Sequence, residues 1–520
     1  MKQLLNNTPL RYLLYLLALT PLFLFRDFSL DNELRYLSIA DEALHNHSFF
    51  TFKNHGILYA DKPPLYLWIV MAGKLLLGMH SLLFLGFFSI LPALGIIYTM
   101  DQWVKDLLSP MQRIAAEMML LTTAFFMGTA IVLRMDMLMC LFIVLSLYIF
   151  FKWHSGQGKP IDRFLFPLCV FMAIFSKGPI GFIVPLVSIS VFLWIKKELK
   201  TMGRYWGLRS LAIILGLCAI WFTGVYTEGG KQYFNDLLFN QTFNRAVHSF
   251  HHSEPFYYYL LAIWYSLLPW SLLIIGVMGY GIRQKLLHND LELFFLVIAF
   301  STLITLSLFS SKLAVYMLPA FPFMVYLSVI WLTRINASRW VLWTVAIPSL
   351  LLCLALPGAF VIQYFNFNTS FLILIAALII SATGVLTLKQ LKGYRLNQGI
   401  ITLCTGLLLA IFTLSFALPP YNEWIGMSRL CEKAKSIAQR QGTQNYYFCN
   451  ITRADNLDVY LGQAPKMLRI KDLYHTDQSM QKPAVLFVSQ KFIDRSDSIR
   501  QFVKNRTKYR YGNYYCVEVE

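Results

Sequence analysis

Charged residues are scarce in this sequence. Only 14% of its 520 residues are Asp, Glu, Lys or Arg, whereas 57% are hydrophobic and the mean hydropathy is +0.54. Because a soluble globular chain carries about 25% charged residues, this composition excludes a soluble protein and predicts one embedded in a bilayer. The low charge and the 42 Phe residues also exclude a disordered or fibrous chain.

Acidic residues are also few, and the cysteines lack the spacing of metal-binding or redox motifs. The chain has 27 Asp and Glu against 45 Lys and Arg, a net charge of +18. The basic residues lie mostly in short loops between apolar runs, which is typical of membrane topology signals and not of nucleic-acid binding. The eight cysteines have neither Cys-x-x-Cys nor zinc-finger spacing. Three of them, Cys431, Cys449 and Cys516, lie in the polar tail, where at most one disulfide can form.

Apolar runs recur along the first four fifths of the chain. Each is near the length that a helix needs to cross the hydrocarbon core. We predict about thirteen membrane-spanning helices, at 10–25, 81–100, 112–129, 131–151, 163–176, 178–195, 208–226, 257–280, 291–309, 313–332, 340–363, 370–388 and 398–418.

The loop charges predict the orientation of these spans. Alternate loops carry 17 basic residues, against 5 in the opposite loops between the later spans. This bias places the N-terminus in the cytoplasm. An odd number of spans then places the C-terminal tail on the outer side.

The sequence divides into two predicted domains. Residues 1–418 form an all-α polytopic membrane domain with two long outer loops, 26–80 and 227–255. Residues 419–520 are polar and alternate β-rich runs with helical patterns, which predicts a small α/β domain. Within the first loop, an amphipathic stretch at 33–45 and an apolar run at 65–79 predict helices that lie on the outer membrane surface.

The first outer loop carries the most suggestive polar residues. Acidic Asp31 and Glu33 stand beside Arg35, and Asp61 stands beside Lys62. Such charges can simply anchor a loop at the interface. Carboxylates beside an Arg and a Lys also suit a reaction in which a phosphate is held and released, because Arg clamps phosphate bidentately and Lys supplies a point charge.

Three further places carry candidate residues. Asp136 follows Arg134 between two predicted spans, where buried charge is costly unless it is paired or functional. Lys312 and Tyr316 are four residues apart, which predicts that they share one helical face. The second outer loop contains a possible metal-binding run, read either as a divalent-metal site or as an ordinary His-rich surface loop. Its four candidate ligands are His248, His251, His252 and Glu254, and Arg245 precedes them.

Seven short motifs occur in one order along the chain. They are Asn32–Tyr36, Asp61–Tyr66, Met135-Asp136, Ser176–Pro179, His252-x-x-Pro255-x-x-Tyr258-Tyr259, Leu268–Trp270 and Ser311–Pro319. This order resembles the polyprenyl-phosphate-dependent glycosyltransferases of the GT-C fold. The nearest resemblance is to the bacterial lipid A 4-amino-4-deoxy-L-arabinose transferases, which are related to the protein O-mannosyltransferases.

The resemblance implies a fold, an activity and a place. We expect a GT-C membrane domain of the bacterial inner membrane with a periplasmic C-terminal domain. The expected activity is transfer of one sugar, with inversion, from an undecaprenyl-phosphate-linked donor to lipid A or another envelope acceptor. No nucleotide cofactor and no nucleic-acid partner are expected.

The resemblance also implies residue roles. Donor phosphate-binding residues would be Arg35, Tyr59, Lys62, Arg245, Lys312 and Tyr316. Asp61 and His252 would hold a divalent metal ion, and Asp136 would be an acidic residue of the cavity. Catalytic carboxylates would be Asp136 together with Asp31 or Glu33, because Asn32 stands where the family usually has an acid. A hydroxyl acceptor would need such a base, whereas an ionised phosphate acceptor would not.

Other functions remain as alternatives at this point. One is protein O-mannosyltransferase-like transfer to Ser or Thr, and another is a non-enzymatic transporter of lipid or sugar. A transporter predicts internal repeats and broken helices at mid-membrane. The sequence has neither feature, and its charges cluster at one face. A non-catalytic family member is the third alternative, suggested by Asn32.

Overall fold

The computed structural model describes residues 7–30, 32–238, 254–335, 338–365, 370–469 and 480–520. Within these ranges, nine helical segments are long and apolar enough to cross a membrane: Thr8–Phe25, Leu82–Val104, Asp136–His154, Leu208–Leu238, Asp290–Leu308, Ala314–Leu332, Arg339–Tyr364, Phe371–Lys392 and Leu396–Ser415. The chain is therefore a multi-pass membrane protein of mostly helical structure. Each of the nine segments coincides with a predicted span.

The four other predicted spans fall on shorter helices. These helices are Pro110–Leu121 with Ala124–Ala130, Asp162–Lys177, Ile180–Ile195, and Tyr258–Ser266 with Ser271–Arg283. Two of the spans are interrupted, one at Thr122 and Thr123 and the other beside Pro269. The indole Nε1 of Trp270 donates a hydrogen bond of 3.0 Å to the Thr122 hydroxyl, which joins the two interruptions. The total of thirteen spans stays a prediction.

The remaining helices are short and lie in the loops and the tail. The predicted loop helices are present as Glu33–His45 and Leu65–Leu77. The others are Met202–Tyr205, Asn422–Ile425, Ser428–Gln441, Asp458–Leu461, Gln490–Arg495 and Asp497–Lys504, with 3₁₀ turns at Leu199–Thr201, Pro419–Tyr421 and Ala454–Leu457. The membrane segment Ala314–Leu332 itself begins as a 3₁₀ helix over Ala314–Ala320.

The chain forms two compact units. The first contains Met1–Pro21, Ala60–Tyr66 and Leu83–Phe416, and so includes most of the long helices. The second contains Leu22–Tyr59, Leu67–Leu82 and Ala417–Glu520. Most of the first outer loop therefore belongs to the same unit as the tail, whereas the sequence-based division at residue 418 separated them.

The second unit is built on a five-stranded sheet, beside the two-stranded hairpin β1 (Lys53–Asn54) and β2 (Ile57–Leu58). The strands of the sheet are β3 (Tyr446–Cys449), β4 (Lys466–Met467), β5 (Ala484–Ser489), β6 (Lys508–Tyr511) and β7 (Tyr514–Val519). Their order is β4-β3-β5-β7-β6, with β3 parallel to both β4 and β5 and with β7 antiparallel to both its neighbours. The small α/β tail predicted from the sequence is thus present. Its three cysteines are buried free thiols.

Asp27 fastens the loop segment of the second unit to the tail. Its carboxylate accepts hydrogen bonds from the backbone N–H of Ser428 at 2.9 Å and from the hydroxyl of Tyr460 at 2.6 Å. A Cβ at Gly426 would lie 2.2 Å from the same carboxylate, so only glycine allows this approach. The residues that follow the first long helix are therefore held to the C-terminal tail by specific hydrogen bonds and close packing.

Candidate functional site

A cavity of about 430 Å³ lies within the first unit. Its walls are mainly apolar and come from the helices Asp162–Lys177, Ile180–Ile195 and the long helix that begins at Leu208. The apolar lining includes Ile174, Ile180, Phe182, Ile183, Leu211, Ile214, Leu215, Trp221 and Phe222. Polar groups line it at Asp61, Lys62, Lys177, Ser311 and Tyr316. The cavity therefore combines cations with a large apolar surface.

A tight turn between two helices places Lys177 in this cavity. The helix Asp162–Lys177 ends at Gly178, whose φ of +94° lies in the region that favours glycine. Pro179 follows, and the next helix begins at Ile180. That helix packs closely on the previous one because Gly181 has no side chain. A Cβ there would lie 2.3 Å from the backbone of Ala173.

Lys177 lies between a carboxylate and an aromatic ring. Its ammonium forms an ion pair with Asp136 and stands 4.6 Å from the centroid of the Tyr316 ring. Asp136 is 1% exposed, is the first residue of the helix Asp136–His154, and is also 3.0 Å from Nε of Arg134. Two cations and a helix N-terminus therefore stabilise the Asp136 carboxylate. In this arrangement Asp136 positions Lys177 and is not available as a base.

Lys62 brings a second ammonium to the cavity. The residue is half-buried, and its Nζ donates a hydrogen bond of 3.2 Å to the backbone carbonyl of Asp61. Its charge also acts favourably on Asp136. Pro63 and Pro64 lead directly into the helix Leu65–Leu77. The fixed φ of the two prolines restricts the backbone that carries Lys62.

Arg35 and Tyr59 come together in the second unit. The Arg35 guanidinium carbon stands 4.6 Å from the centroid of the Tyr59 ring, a cation–π contact. Within the described part of the chain, this guanidinium has no carboxylate partner. Tyr59 is 5% exposed and precedes Lys62 by three residues. Arg35 thus keeps the five donors of its guanidinium for an anion.

Glu33 is committed to another arginine. Its two carboxylate oxygens accept hydrogen bonds of 2.6 and 2.8 Å from Arg26, and one of them also accepts a bond of 2.8 Å from the N–H of Ser29. The residue is 1% exposed. Its environment is that of a structural counter-ion at the start of the helix Glu33–His45. This arrangement gives no support to the predicted role of Glu33 as a base.

Lys312 differs from its predicted role. Its ammonium donates hydrogen bonds to the backbone carbonyls of Phe309 at 2.6 Å and Glu254 at 2.9 Å, and the residue is 4% exposed. It is not part of the cavity lining. The prediction that Lys312 shares a helical face with Tyr316 is wrong, because the 3₁₀ helix begins only at Ala314.

Several of the predicted site residues fall in parts of the chain that the structure does not describe. Asp31, Arg245, His248, His251 and His252 lie outside the described residues. Asp61, the other predicted metal ligand, does line the cavity. No cluster of three or more His, Cys, Asp or Glu side chains suited to a metal ion occurs among the residues whose positions the structure gives.

Two cations that form buried or half-buried ion pairs have no predicted role in the sequence analysis. Lys177 occurs in the Ser-Lys-Gly-Pro motif, but a single lysine in a turn is weak evidence of a function. Arg26 directly follows the first span and resembles an ordinary interface anchor. In both cases the acidic partner would have indicated the role of the cation. That partner is Asp136 for Lys177 and Glu33 for Arg26, and sequence spacing alone does not identify either pair.

Comparison with known proteins supplies the context for this site. No protein-family model matches the chain. It is 26% identical over 428 residues to an uncharacterized protein of Aquifex aeolicus, a match that covers 79% of each chain. It is also similar to undecaprenyl phosphate-alpha-4-amino-4-deoxy-L-arabinose arabinosyl transferases. The identity is 24% over 296 residues for the protein of Edwardsiella ictaluri and 25% over 345 residues for one of Pseudomonas fluorescens.

These two transferases match only part of the chain. The matches cover 56% and 63% of this chain and 53% and 56% of the transferases, so the chain spans little more than half of their length. The structural match is wider. ArnT of Cupriavidus metallidurans bound to undecaprenyl phosphate superimposes with a TM-score of 0.74 at 17% identity, covering 98% of both chains. This chain has the ArnT fold.

The apo form of the same ArnT gives a TM-score of 0.72, also over 98% of both chains. The resemblance to GT-C glycosyltransferases that the seven motifs indicated is thereby confirmed. The ArnT-like fold also accounts for a chain in which many membrane helices accompany a small sheet at the C-terminus.

Proposed function

We propose that this protein is an integral-membrane glycosyltransferase. It would take one sugar from an undecaprenyl-phosphate-linked donor and transfer it to lipid A or a related envelope acceptor at the periplasmic face of the inner membrane. The observation that carries this proposal is the cavity of the first unit, which combines Lys62 and Lys177 with a long apolar wall.

Such a cavity matches the two parts of a polyprenyl phosphate. The phosphate needs positive charge and hydrogen-bond donors, whereas the hydrocarbon chain needs an apolar wall. Two ammonium groups and the Tyr316 phenol supply the first, and the side chains of three helices supply the second. A donor of this kind can enter sideways from the bilayer. ArnT of Cupriavidus metallidurans, whose fold this chain shares, binds undecaprenyl phosphate in its solved structure, which supports this assignment.

The chemistry is a displacement at the anomeric carbon of the donor sugar. An acceptor oxygen forms the new bond while the bond from the anomeric carbon to the lipid phosphate oxygen breaks. The electron pair of that bond stays on the departing phosphate, and a single displacement inverts the anomeric configuration. Lys62 and Lys177 would stabilise the growing negative charge on the departing phosphate.

Asp136 takes part in this proposal as a positioning residue. Its ion pair holds Lys177, and the Tyr316 ring limits the ammonium on another side. A charge that is fixed before the reaction pays no reorganisation cost when the phosphate departs. This is the reason to expect a buried carboxylate beside a phosphate-binding lysine.

The described residues do not by themselves make a metal site. Asp61 is the single carboxylate in the described lining of the cavity, and Lys62 and Lys177 line it too. One carboxylate among ammonium groups is a weak ligand set for a divalent ion, which takes several oxygen or nitrogen donors. We therefore derive no step through a metal. A metal shared by Asp61 and His252 stays a separate proposal.

The decisive experiment is transfer by the purified chain. The protein in detergent is mixed with an undecaprenyl-phosphate-linked sugar and lipid A, and the lipid is analysed by mass spectrometry. We expect a mass increment of one sugar, which also identifies that sugar. Lys62→Ala serves as the inactive control. If no covalent product forms with any donor while labelled lipid crosses a proteoliposome bilayer, the chain is a transporter and the proposal is wrong.

A further inference from the structure

A second cavity, of about 810 Å³, lies wholly within the second unit. It is formed by the residues after β3, the helix Gln490–Arg495 after β5 and the start of β7, with Leu30 from the segment before the helix Glu33–His45. Its lining is largely polar, unlike that of the first cavity. Nothing in the proposed transfer reaction so far uses it.

The sheet topology explains why a cleft forms at this place. From β3 the chain passes to β4 on one side, and it then returns to β5 on the other side of β3. After β5 it continues away from β3, toward β6 and β7. Connections that leave two adjacent parallel strands in opposite directions open a crevice at their carboxyl ends, which is the usual ligand position in open α/β sheets. The residues after β3 and after β5 line this cavity.

A hydrogen-bond framework fixes the rim of the crevice. The N–H of Gln490 donates to the carbonyl of Asn513 at 2.8 Å, which links the end of β5 to the turn before β7. The Gln490 side chain accepts from the Tyr515 hydroxyl and donates to the Asp494 carboxylate, each at 2.6 Å. Gln490 and Asp494 are thus engaged with each other and with the fold.

Six other polar side chains of the lining have no hydrogen-bond or ion-pair partner among the described residues. They are Asn450, Thr452, Ser489, Lys491, Arg495 and Asn513. Two amides and two hydroxyls can pair with sugar hydroxyls, and two cations can bind an anion. The ring of Tyr514 also lines the crevice and offers an apolar face for a sugar ring.

We propose that this crevice binds the phosphorylated sugar headgroup of the acceptor. Two features favour that ligand over a lipid chain or a neutral glycan. The walls are too polar for hydrocarbon, and Lys491 with Arg495 outweighs the single carboxylate of Asp494. The inference rests on the proposed function, because it assigns the second substrate of the same reaction.

Binding can be tested without any transfer reaction. The full chain in detergent is titrated with glucose 1-phosphate, glucose and inorganic phosphate, and binding is followed by saturation-transfer NMR. We expect glucose 1-phosphate to bind more tightly than either of its parts. The double variant Lys491→Ala/Arg495→Ala should weaken that binding about tenfold or more, and Asn513→Ala should weaken it severalfold. Lys504→Ala, an exposed lysine outside the crevice, is the matched control.

The same titration in a Lys62→Ala background separates this crevice from the first cavity. The effect of Lys491→Ala/Arg495→Ala should persist there. Absence of saturable binding would overturn the inference, and so would equal affinity for inorganic phosphate alone or an affinity that the crevice variants leave unchanged.

Kinetics supply an independent readout. The crevice variants should raise KM for the acceptor while leaving KM for the lipid-linked donor unchanged. A change in the donor KM alone would contradict the assignment. If the chain transfers no sugar but still binds glucose 1-phosphate in the crevice, the proposed function fails and the binding site stands. If it transfers sugar normally in the crevice variants, only the present inference fails.

Discussion

Lys177 forms a buried ion pair with Asp136, and the pair ties the turn beside the cavity to the start of the helix Asp136–His154. The two side chains are 6% and 1% exposed. Breaking a buried pair by removing one partner leaves an uncompensated charge and costs about 3–5 kcal/mol, whereas replacing both partners by neutral groups can cost little. This difference separates a structural role of the pair from a role in catalysis.

The first prediction uses this difference. Asp136→Asn should lower the free energy of unfolding by about 3–5 kcal/mol, because Lys177 and Arg134 lose their shared carboxylate. The double variant Asp136→Asn/Lys177→Met should regain much of that stability. Turnover should stay low in the double variant, because the departing phosphate then loses the Lys177 ammonium and only Lys62 remains among the described cations of the cavity. Thermal unfolding in detergent and the transfer assay measure the two effects.

A second buried pair provides the control. Arg11 and Glu117 form a bidentate ion pair of 2.6 and 2.8 Å, are 4% and 0% exposed, and do not line the cavity. Arg11→Met/Glu117→Gln should leave turnover near normal in whatever protein remains folded. Normal turnover in Asp136→Asn/Lys177→Met would contradict a catalytic contribution of Lys177.

The second prediction concerns Lys62. Lys62→Ala should reduce kcat by about 10²–10³-fold, the usual effect of removing one preorganised charge contact from a transition state. Folding should be preserved, because the side chain is half-buried and its hydrogen bond to the Asp61 carbonyl joins neighbouring residues of the chain. Lys53→Ala, an exposed lysine on β1, is the matched control. A rate within a few fold of the wild-type protein would remove Lys62 from the phosphate-binding group.

Hydropathy explains why the helices could be predicted from the sequence. A bilayer requires long apolar helices whatever their neighbours, so the apolar runs near 82–104 and 396–415 indicate their own structure. The interruptions were harder to predict. The breaks near Thr122 and beside Pro269 occur within continuously apolar sequence, and the bond from Trp270 to Thr122 spans 148 positions.

Pairings across long sequence separations also explain what was missed in the site. Lys177 meets Asp136 across 41 positions, and Asp27 meets Ser428 across 401. No local pattern identifies such partners. Asp61 and Lys62 are adjacent in the sequence and both line the cavity, so their proximity needed no long-range contact. Spacing failed for Lys312, because helical periodicity was applied before the helix begins.

The third prediction concerns metal. If Lys62 and Lys177 neutralise the departing phosphate without further help, treatment with EDTA should leave the transfer rate within about twofold of the untreated protein. Asp61→Asn should then also have only a modest effect. Loss of activity on chelation, with recovery on adding one divalent ion, would instead favour a metal held by Asp61 and His252. Binding of that ion, measured by titration of the Asp61→Asn and His252→Ala variants, would decide the ligands.

The fourth prediction concerns pH and stability in the second unit. Burial alone would raise the pKa of Asp41, but hydrogen bonds and positive charge from His80 and Lys74 outweigh it and hold that pKa below its ordinary value. Between the lowered pKa of the folded state and the ordinary pKa of the unfolded state, the unfolded chain therefore binds more protons than the folded one. The stabilisation is present above the ordinary pKa near 4 and is lost as pH falls through the lower folded value. Asp41→Asn should thus lower Tm at pH 7, and its difference from the wild-type protein should shrink below about pH 4.

An exposed carboxylate supplies the reference for Asp41. Asp106→Asn, in the loop that follows the helix Leu82–Val104, should leave Tm unchanged at both pH values. A difference between Asp41→Asn and the wild-type protein that stays constant from pH 7 to pH 3 would show that the effect of the substitution does not come from charge.

The last prediction concerns Glu33 and the nature of the acceptor. A general base needs an oxygen that can take a proton from the acceptor, and it typically contributes 10²–10⁴-fold to the rate. Both oxygens of Glu33 already accept hydrogen bonds from Arg26, and one also accepts from Ser29. Glu33→Gln should therefore lower stability and leave the acid limb of the pH–rate profile in place. If the acceptor is an already ionised phosphate, as in lipid A, Asp31→Asn should reduce the rate only modestly.

A hydroxyl acceptor would give the opposite result. Its proton must be removed, so one of the two substitutions would have to collapse the rate and abolish the acid limb together. The comparison is made at equal folded fraction, with Arg26→Gln as the control that disturbs the same ion pair without removing a carboxylate. If Arg26→Gln and Glu33→Gln lower Tm similarly but only Glu33→Gln loses the acid limb, Glu33 is the base and the acceptor is a hydroxyl.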